Sequence, residues 1–433
     1  MPLEDPAIAA KPPIRTKPLP LEFPGAHYFG QEEIEAVARV LSAKSPFRYY
    51  GIDLQREVES LELEFASFIG VRHAVAVGSG LGALSVALSA MGVGPGQQVI
   101  VPAYMWISVA AAVVNQGAIP VLADIDDTFC LDPRSLERRI GPRTTVILMT
   151  HMSGAPGDAQ AVREIADRRG LLLLEDCAQC CGGRIQGRSV GTFGHMGIFS
   201  FQMNKNMTAG EGGCVVTHDS ALYRRAVACH DLGYPKDDAG NSDYGNPAEF
   251  LWGKGTRLDE MRAAILRVQL RKLPDILARM HASKYRIRAA LARFPGVQLR
   301  RVLDPAGDAG CFLITTYPTP EMARRVNRYM RDAGIVTAPQ GCSNIVMTDW
   351  GMHLYYNMPS LVNKSSVAPG FPWGLAENQG LVPEYGKGAC PAADSLFERS
   401  ILMAIPSCLT REDEDDIIRG FEEALGREPD ACA

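Results

Sequence analysis

Lys205 lies in the stretch Phe199-Ser200-Phe201-Gln202-Met203-Asn204-Lys205-Asn206-Met207-Thr208-Ala209-Gly210-Glu211-Gly212-Gly213, whose residue types and spacing suit covalent chemistry. A lysine amine held in a pocket condenses with an aldehyde or ketone and so becomes a covalent catalyst. Ser200, five residues earlier, is spaced to reach an anionic group beside that lysine. The glycines that follow permit backbone angles other residues avoid, so the chain can turn sharply after Lys205. Most lysines are solvated surface residues. The serine, the aromatic neighbours and the Gly-Glu-Gly-Gly turn set this one apart.

Three further positions carry possible chemistry. Asp176 closes the apolar run Leu171-Leu172-Leu173-Leu174-Glu175. Open α/β sheets place their ligands at strand C-terminal ends, so Asp176 is a candidate; a carboxylate capping the next helix is the alternative. Gly78-Ser79-Gly80-Leu81-Gly82 sits where a helix opens. Backbone N–H groups there favour an anion, and glycines let it come close, although a plain strand–helix turn has the same composition. Trp106 ends Pro102-Ala103-Tyr104-Met105-Trp106 and is either a flat partner for a ring or a core tryptophan.

These residues need a scaffold, and the first half alternates short β-rich runs with helical ones. His73–Val77, Gln98–Pro102, Pro120–Asp124, Thr145–Thr150 and Leu171–Asp176 read as strands. Gly82–Ala90, a stretch from near Trp106 and Ala159–Arg168 read as helices. Ile198–Gln202 and Cys214–His218 are strands flanking the lysine turn. The leucine run lacks alternation, as in a strand covered on both faces, and the order implies a mainly parallel sheet with right-handed crossovers. From Thr256 onward two helices are expected, Asp259–Leu273 and Asp275–Phe294, bridging to a strand near Cys311–Tyr317 and helices Pro320–Ala333 and Arg411–Leu425. Thr410 is a plausible cap of the last helix, with Asp413 three residues on. Pro339–Pro391 is long for a structureless connection and reads as a functional loop region.

The segment from Ser200 to Gly213 resembles the pyridoxal-phosphate attachment site of the DegT/StrS sugar aminotransferase family, whose pattern Ser-Phe-x-x-x-Lys-x-x-x-x-Gly-Glu-Gly-Gly it fits throughout. The resemblance takes in Gly78 to Leu84, Glu175 to Gln179, the Arg257 region and Leu409-Thr410-Arg411-Glu412-Asp413, and so spans roughly Pro24 to Leu425. It implies fold type I of the pyridoxal-phosphate-dependent transferases. That is an α/β chain with a large domain on a mainly parallel seven-stranded sheet (23–270) and a smaller C-terminal α+β domain (271–433); the Pro-rich, polar residues 1–22 read by composition as an extended arm without a core of its own, either disordered or laid across a partner subunit. It implies that Lys205 carries pyridoxal 5'-phosphate, with pyridoxamine 5'-phosphate as the intermediate form. It further implies that Asp176 pairs with the ring nitrogen, Gln179 contacts the ring hydroxyl and Trp106 stacks on the ring. Ser79, Gly80, Leu81 and Ser200 are implied to hold the phosphate. The implied activity moves an amino group from glutamate or glutamine to the ketone of a sugar or cyclitol, in amino-sugar or antibiotic biosynthesis, by a cytoplasmic homodimer.

The chain departs from the family pattern in places. Leu81 stands where Thr is usual, which removes a side-chain donor but no backbone contact. Gly253-Lys254-Gly255-Thr256-Arg257 replaces Gly-Tyr-Asn-Tyr-Arg, so Gly255 stands for the asparagine that reaches the neighbouring subunit's phosphate; Arg257 is kept and Lys254 is a possible substitute. His195 stands where Asp is usual, with a structural effect expected. In the long loop region Trp350, His353, Tyr355, Tyr356 and Asn357 mix aromatic and polar groups that suit a sugar or cyclitol pocket, or a packed surface loop. Arg257, His353 and Tyr355 are the candidate substrate contacts. A dehydratase or lyase on the same scaffold is an alternative, although sugar dehydratases of the group carry His in place of the lysine. A regulatory or binding homologue without cofactor is another.

The bulk composition fits this reading. With 433 residues, 46% hydrophobic and 21% charged, the chain suits a large and a smaller domain. A formal net charge of −5 gives no sign of a nucleic-acid partner, and no apolar run approaches a membrane span. Among 11 cysteines, Cys177, Cys180 and Cys181 form a C-x-x-C-C cluster, but no second pair with ligand spacing follows, so buried reduced thiols are expected and no metal.

Overall fold

The computed structural model describes residues 12–237, 240–337 and 343–426. The first nine strands are β1 (His73–Val77), β2 (Gln98–Pro102), β3 (Ile119–Ala123), β4 (Thr144–Thr150), β5 (Leu172–Asp176), β6 (Arg184–Ile185), β7 (Arg188–Ser189), β8 (Met196–Ser200) and β9 (Gly213–Thr217). Seven of them form one sheet in the order β1-β9-β8-β5-β4-β2-β3, and β6 and β7 make a separate hairpin. Every pairing in the large sheet is parallel except those of β9 with β1 and β8. The mainly parallel seven-stranded sheet expected from the sequence is present.

Burial on both faces explains the unbroken apolar runs. Val75, Val77, Val101, Leu148 and Leu174 face one core, shared with α3 (Gly80–Ala90), α4 (Ile107–Asn115) and α7 (Ser220–His230). Ile100, Ile147 and Leu173 face the other, against α5 (Pro133–Arg139) and α6 (Ala159–Arg169). On that same side Ala74, Ala76 and Phe199 meet α2 (Glu57–Ile69) and α8 (Glu260–Leu291). α1 (Gln31–Ser42) also packs on α8.

A second, antiparallel sheet runs in the order β10 (Gln298–Leu299), β11 (Phe312–Thr316), β13 (Ser400–Ala404), β12 (Ile345–Val346). Its core joins α9 (Pro320–Asp332), α12 (Arg411–Leu425) and the end of α8. Two short helices, α10 (Pro359–Val362) and α11 (Pro391–Arg399), lie between β12 and β13. No helix among the described residues is long and apolar enough to cross a membrane.

Three features differ from the sequence reading or refine it. The two helices expected on either side of Pro274 are one helix, α8, capped by the Asp259 side chain on the Arg262 N–H. Proline removes one helical hydrogen bond, but Leu266, Leu270, Leu273, Ile276 and Met280 are buried on both sides of it, and that packing carries the helix through. The boundary placed between residues 270 and 271 therefore falls inside a continuous helix. The long segment after β12 is not a solvated loop. Tyr355, Met358, Leu361, Tyr385 and Phe397 join the same core as Val101 and Leu174 of the large sheet. Finally, of the Pro-rich arm expected over 1–22, residues 1–11 lie outside the described residues, and residues 12–22 dock on the second sheet's unit: Arg15 and Leu19 donate backbone N–H groups to Ala333 and Val336, and Arg15 bridges Asp413 and Asp416.

Candidate active site

The register of the large sheet brings the chemistry-bearing ends into one row. Asp176 lies beside Thr150 of β4 and Ile198 of β8, Ser200 beside Gly213 of β9, and Gly213 beside Val77 of β1. β8 ends two residues earlier than expected, so Ser200 is its last residue and Lys205 lies in the turn that follows. That turn is held by Phe201 N–H to the Gly212 carbonyl (2.9 Å) and Lys205 N–H to the Gln202 carbonyl (3.0 Å). Gly210 (φ 81°) and Gly212 (φ 156°) take backbone angles that favour glycine.

Lys205 is half-buried, and among the described residues no hydrogen bond or ion pair holds its Nζ. Burial holds its amine below the ordinary lysine value, and Asp176 opposes that shift. The Asp176 carboxylate is only 3% exposed. Its Oδ1 accepts the Ala178 N–H at 2.9 Å, while Oδ2 accepts no hydrogen bond from a described residue. Burial pushes its pKa up, against the pull of the Ala178 N–H, Lys205 and His151.

Around the start of α3 the packing is close enough to require glycine. A Cβ on Gly80 would lie 2.8 Å from the Ser200 Cβ, and one on Gly82 would lie 2.4 Å from the Thr256 Oγ1. The Ser79 hydroxyl caps the helix by accepting the Gly82 N–H at 3.0 Å. Ser79, Gly80 and Ser200 are thus brought together, with Leu81 39% exposed beside them. Thr256 was missed in the sequence; its signal was a hydroxyl within the Gly-rich run before Arg257. Its carbonyl accepts the Gly78 N–H at 2.9 Å.

Trp106 precedes α4 and stands 40% exposed, with His353 against it at a 4.7 Å ring separation. His353 comes from the long segment, pinned by Met105 N–H to the His353 carbonyl and Tyr355 N–H to the Ala103 carbonyl. Its ring stacks on Trp350 at 4.3 Å. Nδ1 lies 2.9 Å from the Trp350 carbonyl, which only accepts, so Nδ1 carries the proton. Nε2 then offers a lone pair to the Gln179 amide nitrogen at 3.4 Å. Burial lowers the His353 pKa to about 3, helped by Lys205, so the ring is neutral. Gln179 Oε1 accepts the Ser153 N–H at 3.0 Å, which fixes the direction of its amide.

Other sequence candidates fall elsewhere. Tyr355 is fully buried, and its hydroxyl bonds Asp394 and accepts the Gly388 and Cys390 N–H groups, so it is committed to the start of α11 rather than to a substrate. Arg257 pairs with Asp231 at 2.7 Å and lies over the Phe47 ring, not beside Lys205. His195 accepts the Leu173 N–H at 2.9 Å, a contact between neighbouring strands. Cys177, Cys180 and Cys181 are buried free thiols. His151, Glu175 and Cys177 bring three ligand atoms within 4.8 Å, but both His151 nitrogens and both Glu175 oxygens are already bonded to protein.

The arrangement fits pyridoxal phosphate. An unpaired amine, a buried carboxylate with one open oxygen and a glycine cradle at a helix start are the groups that an aldehyde, a ring nitrogen and a phosphate require.

Comparison with known proteins agrees. The profile of the DegT/DnrJ/EryC1/StrS aminotransferase family matches residues 28–341. The erythromycin biosynthesis sensory transduction protein EryC1 of Saccharopolyspora erythraea is 34% identical over 367 residues, 84% of this chain and 88% of that protein. The L-glutamine:2-deoxy-scyllo-inosose aminotransferase of Streptomyces kanamyceticus is 38% identical over 283 residues, 63% of this chain and 65% of that protein. The crystal structure of an aminotransferase from Psychrobacter cryohalolentis superposes with a TM-score of 0.77 at 29% identity, covering 92% of this chain and 97% of that one.

Proposed function

The chain belongs to the DegT/DnrJ/EryC1/StrS aminotransferase family, and from that membership we propose how it works as a pyridoxal-phosphate-dependent aminotransferase of sugar or cyclitol ketones. The observation that carries the reading is that Asp176 and the Ser79–Ser200 cradle lie at the C-terminal ends of β5 and β8, with Lys205 in the turn after β8 and electrostatically coupled to Asp176. Lys205 holds the cofactor's aldehyde, Asp176 its ring nitrogen, and Ser79, Gly80, Leu81 and Ser200, joined by Thr256, its phosphate. Gln179 and Trp106 take the ring hydroxyl and the ring face. When bound, pyridoxal phosphate supplies an electrophilic carbon and an electron sink that stores the amino group between two half-reactions.

The remaining work belongs to the side chains. With pyridoxal phosphate bound, Lys205 would hold its aldehyde at rest and would be freed by the amine of a donor such as glutamine or glutamate. Its Nζ would then carry a proton from the donor's α-carbon to the carbon that had been the aldehyde, as base and then acid. Asp176 keeps a negative charge facing the ring nitrogen. His353, neutral with its Nε2 lone pair turned to the Gln179 amide, packs against Trp106 where the acceptor sugar or cyclitol would enter. A lysine at 205, where the group's sugar dehydratases carry His, supports amino transfer over dehydration.

A homodimer completes the site. Tyr50, Ile52, Leu232 and Trp252 are exposed, Trp252 at 95%; they lie a few residues along the chain from Phe47 and Asp231, which touch Arg257, and from Arg257 itself. Patches of this kind mark association surfaces, and a two-fold copy would cover them and bring Arg257 or Lys254 toward the partner's phosphate.

Borohydride reduction of the loaded enzyme followed by peptide mapping tests the site: the pyridoxyl mark is expected on Lys205. A mark on another lysine overturns the assignment. Loss of the pyridoxamine form on adding keto-sugar and cyclitol acceptors then identifies the substrate.

A further inference from the structure

Arg300 follows β10, and its N–H bonds the Ile314 carbonyl of β11, so it is rooted in the second sheet. Its side chain is buried, 2% exposed, and crosses to the large sheet's unit. Nε donates to the Thr128 carbonyl (2.6 Å), Nη1 to the Ser153 carbonyl (3.1 Å), and Nη2 to the Ala155 carbonyl (3.2 Å) and the Cys130 thiol (3.4 Å). No carboxylate is bonded to it among the described residues. A buried guanidinium satisfied by three carbonyls and a thiol is a costly way to join two sheets, because its charge loses water without a bonded counter-ion.

What it holds is unusual. Ser153 is fully buried at φ 52°, ψ 41°, a left-handed conformation that residues with a Cβ rarely adopt. All its polar groups are committed. The carbonyl takes Arg300, the N–H meets Gln179 Oε1 (3.0 Å), and Oγ pairs with the Tyr104 hydroxyl (2.8 Å). The Ser153 N–H can face only an acceptor, so it dictates which end of the Gln179 amide turns toward His353 and Lys205. A hydrogen bond to an amide oxygen also strengthens the donors on its nitrogen.

We propose that Arg300 is a positioning residue of the active site, which through Ser153 fixes and polarises the Gln179 amide so that one N–H faces His353 and the other meets the bound cofactor in a single orientation. This rests on the reading that the site holds pyridoxal phosphate with Gln179 at its ring hydroxyl. Arg300→Met and Gln179→Leu, singly and together, separate this role from that of a clasp between the two sheets. Arg300→Met is expected to weaken cofactor binding roughly tenfold, the scale of one charge-assisted hydrogen bond, and to shift the wavelength and induced circular dichroism of the bound cofactor's long-wave band. Arg300→Lys, which keeps the charge but loses the fork, is expected to fall between the two and serves if Arg300→Met does not fold. In the Gln179→Leu background the Arg300 substitution is expected to add no further spectral change. A wild-type band and affinity in the Arg300 variants, or effects that add in full in the double variant, overturn the proposal. Absence of any cofactor band in the unaltered protein instead overturns the functional reading beneath it.

Discussion

Gly80 and Ser200 come so close that a Cβ on the glycine would lie 2.8 Å from the serine Cβ and 2.9 Å from its Oγ. A residue from the start of α3 and one from the end of β8 thus share one small space. The contact ties the helix that would face a phosphate to the strand that leads into the Lys205 turn.

Gly80→Ala puts a methyl into that space. Gly80 lies in a helix, so alanine suits its backbone and the clash is local. The variant is expected to fold but to bind pyridoxal phosphate at least about tenfold more weakly, in line with the loss of one good anion contact. Equilibrium dialysis of the folded variant measures it; unchanged affinity would remove the cradle from the site.

Asp176→Asn keeps the size of the side chain and removes its charge. It is expected to retain cofactor yet lose on the order of a hundredfold or more in turnover, the scale of one preorganised electrostatic contact. Single-turnover rates with a fixed donor check this, and near-normal turnover removes the role given to Asp176.

Burial lowers the Lys205 pKa in the folded protein from 10.5. Between the lowered value and 10.5 the unfolded chain holds a proton that the folded chain has released, so folding gains stability as pH rises across that window. Cofactor-free Lys205→Met lacks this dependence. It is expected to be more stable than the cofactor-free parent at neutral pH, with the gap closing above 10.5. Denaturant unfolding of both proteins across that range reads the difference; a gap that does not change with pH contradicts the lowered pKa.

Mixing Lys205→Ala chains with Arg257→Ala chains tests a shared site. Each homodimer is expected to be inactive or weak, whereas an exchanged heterodimer carries one site with both residues intact. Activity should return toward about a quarter of the wild-type level after exchange of equal amounts, since half of the dimers are then mixed and each carries one intact site of two. No recovery after proven exchange, or full activity in monomers by light scattering, rejects the shared site.

The parts of this architecture legible in the sequence were those set by local periodicity and short motifs. His73–Val77, Gln98–Pro102 and Arg411–Leu425 sit where their patterns put them, because apolar runs and a capping box are decided within a few residues. Pro274 misled, since a proline argues locally for a break while the burial that overrides it is tertiary. Tyr355 and Asn357 looked like pocket residues by type. Their partners, Asp394 and the Thr348 carbonyl, are set by chain folding that composition does not encode. Thr256 was hidden for the opposite reason: it matters through its packing on Gly82, 174 positions away by sequence number, not through a motif.

The apolar core shared by Val101, Leu174, Tyr355 and Phe397 bears on modularity. The chain leaves the large sheet along α8, builds part of a second sheet, returns to seal the first unit's face, and only then finishes the second. The two units are therefore interleaved rather than strung in series. A fragment cut after residue 270 would carry Lys205 and Asp176 but leave an open hydrophobic seam, and so would aggregate rather than work alone. Recombining such enzymes by swapping C-terminal halves would transplant part of the recipient's core along with its substrate loop. Grafts limited to the His353 segment respect the way the chain is woven.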